Sequence, residues 1–125
     1  MQITRISPLE AADRMREGWI YLDIRPEEEF DEGHPAGAVN VPFHPDPARF
    51  VDAVKAAVGG AGARLVVGCR SGVVSVRAAE LLASAGFSEV VEQRAGFEGS
   101  RGAFGELREA GWEREGLAVE REEES

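Results

Sequence analysis

Arg64-Leu65-Val66-Val67-Gly68-Cys69-Arg70-Ser71-Gly72-Val73-Val74-Ser75 is the stretch on which the fold turns. Arg64 to Gly68 is a short apolar run, long enough for a buried strand and too short for a helix. Ser75 to Ala85 then reads as a helix, with Val76, Ala79, Leu82 and Ala83 on its apolar face and Gly86 as its stop. Strand, tight turn and helix in immediate succession are one half of a parallel crossover unit.

The same rhythm extends in both directions. Upstream, Ser7-Pro8-Leu9-Glu10 is a capping box with proline at the first helical position, predicting a helix to about Glu17. Trp19 to Ile24 is a strand ended by Arg25-Pro26, and Glu27 to Asp31 form a short helical turn. The Gly33 to Gly37 turn leads into a strand at Val39 to Val41, and Pro47 to Val58 is a helix stopped by Gly59-Gly60. Downstream, Ser88 to Val91 is a strand candidate, Ala95 to Gly111 a glycine-rich loop with a helical piece, and Trp112 to Gly116 a final turn. Strands alternating with helices predict an α/β fold of three layers, α/β/α, around a mostly parallel central sheet. Residues 1–119 are expected to form one domain, and Glu120 to Ser125 an acidic frayed tail.

Composition narrows the function. A length of 125 residues fits one ordinary domain with a core of its own. Fourteen basic residues against 23 acidic ones give a net charge of -9, which argues against nucleic acid and anionic lipid as partners. No segment has the roughly 20 apolar residues of a membrane span, and Met1 to Ile20 lacks a continuous apolar core, so the expectation is a cytoplasmic protein without membrane contact. The single cysteine has no partner for a disulfide, and with two histidines it makes no metal-ligand spacing; no metal and no cofactor are expected. No dinucleotide fingerprint or P-loop is present.

Cys69 stands at the carboxyl end of a strand and just before a helix, where open parallel sheets place their ligand sites. Gly72 permits backbone N–H groups to fold inward, and the helix beginning near Ser75 directs its positive end at the same spot. Arg70 adds a full charge. Such surroundings favour a thiolate and a bound anion together. From position alone, a buried structural cysteine at a strand end is an equal alternative.

Several pieces, in order along nearly the whole chain, resemble the rhodanese-like sulfurtransferase domains. They are Ser7-Pro8-Leu9-Glu10, Leu22-Asp23-Ile24-Arg25 with Glu29 and Phe30, and Gly33 to Pro42. Cys69-Arg70-Ser71-Gly72, Ala78 to Leu82, Gly86-Phe87, Ala95 to Gly99, and Trp112 ahead of Gly116-Leu117 follow. The resemblance implies one rhodanese domain in which the cysteine takes a sulfane sulfur from a small anionic donor such as thiosulfate. The sulfur is held as a persulfide and passed to cyanide or a thiol, a sulfur-accepting protein among the candidates. Cys69 matches the catalytic position, and Arg70 a position that holds the anionic donor, the alternative for Arg70 being a surface ion pair. Ser71, Gly72, Val73, Val74 and Ser75 complete the binding loop, chiefly through backbone donors.

One departure stands out. Many single-domain members read Cys-x-x-Gly-x-Arg-Ser, and here Val74 occupies the arginine's place. This weakens the cationic collar and puts efficient thiosulfate use in doubt. Arg77, one turn on, either compensates or pairs with Glu80. Asp23 and Arg25 are expected as a structural ion pair that also shapes the pocket edge. Arg101, in a loop that could roof the pocket, is a further candidate cation for the donor. His34 is read as a turn-stabilising hydrogen-bond partner, His44 as an exposed loop residue, and Trp19 and Trp112 as anchors. Glu27-Glu28-Glu29 and Glu122-Glu123-Glu124 are read as solvated charge. Two other functions compete: a non-catalytic binding or sensing module on this fold, and a cysteine phosphatase. The latter needs an arginine six residues after the cysteine, where Ser75 stands here.

Overall fold

A computed structural model describes residues 2–122. In chain order the elements are β1 (Thr4–Ile6), α1 (Pro8–Arg16), β2 (Ile20–Asp23), α2 (Glu27–Glu32), β3 (His34–Pro35), β4 (Val39–Asn40) and α3 (Pro47–Val58). They continue with β5 (Leu65–Gly68), α4 (Val74–Ser84), β6 (Val90–Gln93), β7 (Ser100–Arg101), β8 (Leu107–Glu109) and β9 (Val119–Glu120). The central sheet has five strands in the order β1-β6-β5-β2-β4, every pairing parallel.

Alternation along the central strands builds the layers. Tyr21 and Val66 face one side with Ile6, Ala11, Ala12 and Trp112, where α1 packs. Leu22, Leu65 and Val67 face the other with Phe50 and Val54 of α3 and Ala78, Ala79 and Leu82 of α4. A parallel sheet covered on both faces accounts for the nearly continuous apolar reading of β5. Local signals fix the helix ends. Ser7 Oγ accepts from Glu10 N and the Glu10 side chain accepts from Ser7 N, which closes the capping box and holds the Glu10 carboxyl below its ordinary range. Asp46 caps α3, and Gly59 ends it in the left-handed conformation.

From β5 the chain moves outward through α4 to β6, and from β2 it moves the opposite way to β4. The carboxyl ends of β2 and β5 therefore border a topological switch point, the crevice where ligands bind in open sheets. Asp23 ends β2 there, and Cys69 follows β5.

Two readings of the sequence are corrected. The stretch from Ala95 to Gly111 holds no helix; a run of turns leads into an antiparallel hairpin, β7 with β8, because its glycines relieve turns and close contacts instead of ending a helix. The frayed tail does not begin at Glu120: Val119 and Glu120 pair with Pro35 and His34, Arg121 reaches Glu113 at 3.2 Å, and Glu122 N donates to Asp31 O. Glu123 to Ser125 lie outside the described residues. Finally, β1 was not anticipated, being a three-residue edge strand with little pattern of its own. His34 behaves as expected, stacked on Phe30 with its Nδ1 2.7 Å from the Phe30 carbonyl, and His44 is exposed. Among the described residues no helix is long and apolar enough to cross a membrane.

The Asp23–Arg25 pair is buried, with side chains 2% and 4% exposed, and Arg25 also donates to Gly33 O and lies over the Phe97 ring. Removing one partner of such a pair strands the other charge in a dry site. Asp23→Ala should therefore lower stability by about 3 kcal/mol in urea unfolding, and Arg25→Met in the same chain should recover part of that loss.

Candidate functional site

Cys69 sits where β5 gives way to a loop, 7% exposed, its sulfur at the base of a cavity of about 310 Å³. Gly72 N donates to Sγ at 3.3 Å, and Sγ lies 3.2 Å from Ser75 Oγ, with the thiol as donor. α4 starts at Val74, so the positive end of an eleven-residue helix adjoins the sulfur. Among the described residues Gly72 is the one loop residue whose amide bonds the sulfur; the inward-turned donors expected from the sequence reduce to this one plus the helix terminus.

The loop holds its shape because a second segment grips it. Gln93, fully buried at the end of β6, accepts from Ala95 N at 2.7 Å and Gly96 N at 2.9 Å, and donates to Gly96 O. The turn so formed presents Phe97 N to Cys69 O and Glu98 N to Arg70 O, both at 2.9 Å. Contact is close enough that a Cβ on Gly96 would overlap the Arg70 carbonyl, and one on Gly72 the Arg94 carbonyl. Gly72 also has φ +83°. Gly68 has no side chain where the buried Tyr21 hydroxyl sits, and burial pushes that phenol well above its ordinary range.

The cavity over the sulfur is lined by Ile24, Arg25, Pro26, Glu29, Arg70, Ser71, Val73 and Val74. Its cations are already engaged. Arg25 pairs with Asp23, and Arg70 lies 2.6 Å from Glu29 and 3.3 Å from Glu98. The Glu29 hydrogen bond leads the causes that raise the Arg70 guanidinium above its ordinary value. Arg70 thus borders the cavity while making the surface ion pair that was its alternative. Glu29 is corrected from solvated charge to a wall of the cavity, reached because α2 turns back towards the loop. Val73 is 74% and Val74 44% exposed, an apolar rim where a cation was the family expectation.

Two expected cations do not arrive. Arg77 is exposed on α4 and is not among the residues lining this cavity, and no ion pair joins it to Glu80 among the described residues. Arg101 lies in β7 and borders a separate hollow with Arg5, Ser71, Gly72, Val73 and Arg94. The hairpin borders that hollow and contributes no residue to the lining of the cavity over the sulfur.

The sequence reading also missed residues. Glu92 and Gln93 are 0% exposed in β6, Glu92 accepts from Ser75 Oγ and from Arg5 Nε, and Arg5 Nη2 donates to Gly72 O at 2.7 Å. The available signal was two polar residues ending an otherwise apolar strand, Val90-Val91-Glu92-Gln93.

Comparison with known proteins bears on this site. The family model described as "Rhodanese-like domain" matches residues 7–103. The chain is 35% identical over 102 residues to thiosulfate sulfurtransferase 16, chloroplastic, of Arabidopsis thaliana, covering 74% of this chain and 82% of that protein. It is 36% identical over 103 residues to thiosulfate sulfurtransferase GlpE of Ectopseudomonas mendocina, covering 82% of this chain and 89% of that protein. Among solved structures, Rv0390 from M. tuberculosis superposes with a TM-score of 0.79 at 25% identity, covering 97% of this chain and 99% of that one. A structure described as rhodanese with anions from E. coli shares the fold at a TM-score of 0.56 and 22% identity, covering 82% of this chain and 96% of that one.

If the glycine at 72 shapes the loop, Gly72→Ala should cost about 1–2 kcal/mol from the left-handed backbone alone. The displaced amide should also change the iodoacetamide alkylation rate of Cys69, followed by intact mass.

Proposed function

Because the chain belongs to the rhodanese-like domain family, we infer that it is a sulfurtransferase whose nucleophile is Cys69. The observation that carries this reading is the geometry at the sulfur: a lone thiol at the switch point, open to a cavity, with a loop amide and a helix N-terminus directed at it. In the first half of the cycle the Cys69 thiolate attacks the outer sulfur of thiosulfate. An S–S bond forms on Sγ, the donor's S–S bond breaks, and its electron pair leaves with sulfite. In the second half cyanide or a thiolate attacks the terminal sulfur, and the pair of the broken bond returns to Sγ. In the loaded state the charge sits on the outer sulfur, one bond from Sγ, and on discharge it returns to Sγ, where Gly72 N–H and the start of α4 are preorganised to hold it.

The cavity also bears on donor preference. Arg25 and Arg70 are matched by Asp23, Glu29 and Glu98, and the rim is Val73 and Val74. A dianion gains little from cations already neutralised, whereas a sulfur carrier of low charge loses little by entering an apolar mouth. Thiosulfate is therefore a serviceable donor in this reading, and a persulfide or thiol of low charge is better matched.

Intact-mass analysis tests the core of the proposal. Incubation with thiosulfate should add the mass of one sulfur atom to the wild-type chain and nothing to Cys69→Ser, and added cyanide should discharge it as thiocyanate. If no sulfane donor ever loads the wild type, the fold serves a non-catalytic binding role instead. Val74→Arg should raise kcat/KM for thiosulfate about tenfold, the worth of one charge-assisted hydrogen bond of ~1.5 kcal/mol.

A further inference from the structure

Behind the sulfur, away from the cavity, lies a chain of polar groups that the sulfur-transfer cycle above does not use. Cys69 Sγ contacts Ser75 Oγ at 3.2 Å, and Ser75 Oγ donates to Glu92 Oε2. Glu92 Oε1 accepts from Arg5 Nε at 2.6 Å, and the other end of the same guanidinium holds the Gly72 carbonyl. Ser75 and Glu92 are both 0% exposed.

Counting protons fixes how this chain is occupied. A carboxylate only accepts, so the single Ser75 hydroxyl proton points at Glu92. Ser75 then turns a lone pair towards Sγ, and Cys69 must be the donor in that contact, that is, a thiol. Loss of its proton to solvent would leave a sulfur anion facing an oxygen lone pair in a buried site, an unfavourable pairing. A shift along the chain avoids this. The S–H bond breaks and its pair stays on Sγ; the proton adds to Ser75 Oγ as that hydroxyl's own proton passes to Glu92 Oε2. The thiolate then accepts from two donors, Gly72 N–H and Ser75 O–H, while neutral Glu92 donates to Ser75.

We propose that Ser75 and Glu92 form a buried proton relay for Cys69, in which Glu92 holds the thiol proton while the sulfur reacts and returns it through Ser75 when the sulfur is released. The proposal rests on the reading of Cys69 as nucleophile. Arg5 is the positioning residue: it fixes the Glu92 carboxylate and, through the Gly72 carbonyl, the amide-bearing loop, so that relay and loop move as one. The other charged or titratable groups around this chain are Tyr21 and Asp23 of β2 with Arg25 just after it, Glu29 of α2 with Arg70 of the loop, and Arg94 with Glu109 from the β6 end and β8.

The test is the pH profile of Cys69 alkylation by iodoacetamide, read by intact mass on the full chain, a measurement that requires no sulfur transfer. Two groups sharing a proton titrate as a pair. The wild type should therefore gain reactivity in two steps, a partial plateau at acidic to neutral pH and a second rise at alkaline pH. Glu92→Gln, of the same shape but unable to take a proton, should show a single step. A single step in the wild type, or two steps retained in Glu92→Gln, would overturn the relay. Where Glu92→Gln fails to fold, Ser75→Ala carries the test, since it breaks the chain and leaves Glu92 on Arg5; it too should show one step, and two steps would overturn the proposal. A wild type that takes up sulfur from thiosulfate yet titrates in one step refutes the relay and leaves the nucleophile reading intact, and two-step titration without sulfur uptake does the reverse.

Discussion

Two backbone hydrogen bonds, from Phe97 N to Cys69 O and from Glu98 N to Arg70 O, hold the site together. A loop that turns one amide onto the sulfur leaves other carbonyls facing outward, and buried carbonyls need partners. The turn after β6 supplies those partners at two residues of the loop, Cys69 and Arg70. The interlock explains why glycine stands at 72 and 96: each backbone lies against a carbonyl of the other segment, with no space for a Cβ. It also ties the sulfur's position to the sheet, because the gripping turn is itself built on Gln93, fully buried in β6.

Burying Glu92 and Gln93 in a central parallel sheet carries a desolvation cost that only complete pairing offsets. Among the described residues every buried side-chain nitrogen and oxygen has a hydrogen-bond partner. Gln93 uses its oxygen on two amides and its nitrogen on Tyr21 Oη and Gly96 O, while Glu92 divides its two oxygens between Ser75 and Arg5. Gln93 thereby ties the side of the sheet where Tyr21 and Trp112 meet edge to face to the turn that grips the loop, while Glu92 ties the opposite side to α4 through Ser75. The cavity side differs. Val73 and Val74 project outward, and the polar contacts there are ion pairs with partly exposed partners.

Much of this was legible from local chemistry. The capping box at Ser7, the proline start and glycine stop of α3, the apolar run of β5 and the position of Cys69 between strand and helix all depend on residues within a few places of one another. What stayed hidden depends on distance along the chain. Glu29 and Arg70 are 41 residues apart, and Arg5 and Glu92 are 87 apart. No periodicity reports such pairs, so Glu29 read as solvated charge and Glu92 was passed over. The two-residue strands β3 and β9 and the glycine-rich hairpin β7–β8 failed for a related reason. Their pairing comes from neighbours in space, and glycine in a sequence marks a turn and a close approach with the same letter.

The pairing of charges around the cavity has a consequence for how the protein handles an anion. In a chain of net charge -9, an arginine near a concave site would be expected to draw anionic ligands, yet Arg25 and Arg70 are matched by carboxylates. Buried or partly buried pairs of this kind leave little long-range field, so attraction of a small anion from solution is weak. What remains to hold negative charge at the sulfur is fixed and short in range: the Gly72 amide and the first turn of α4. Those dipoles act on charge already at Sγ and hardly at all on a ligand approaching through water. Selectivity in such a site therefore arises at contact, from the fit of the incoming sulfur carrier against Ile24, Pro26, Val73 and Val74, and not from steering at a distance.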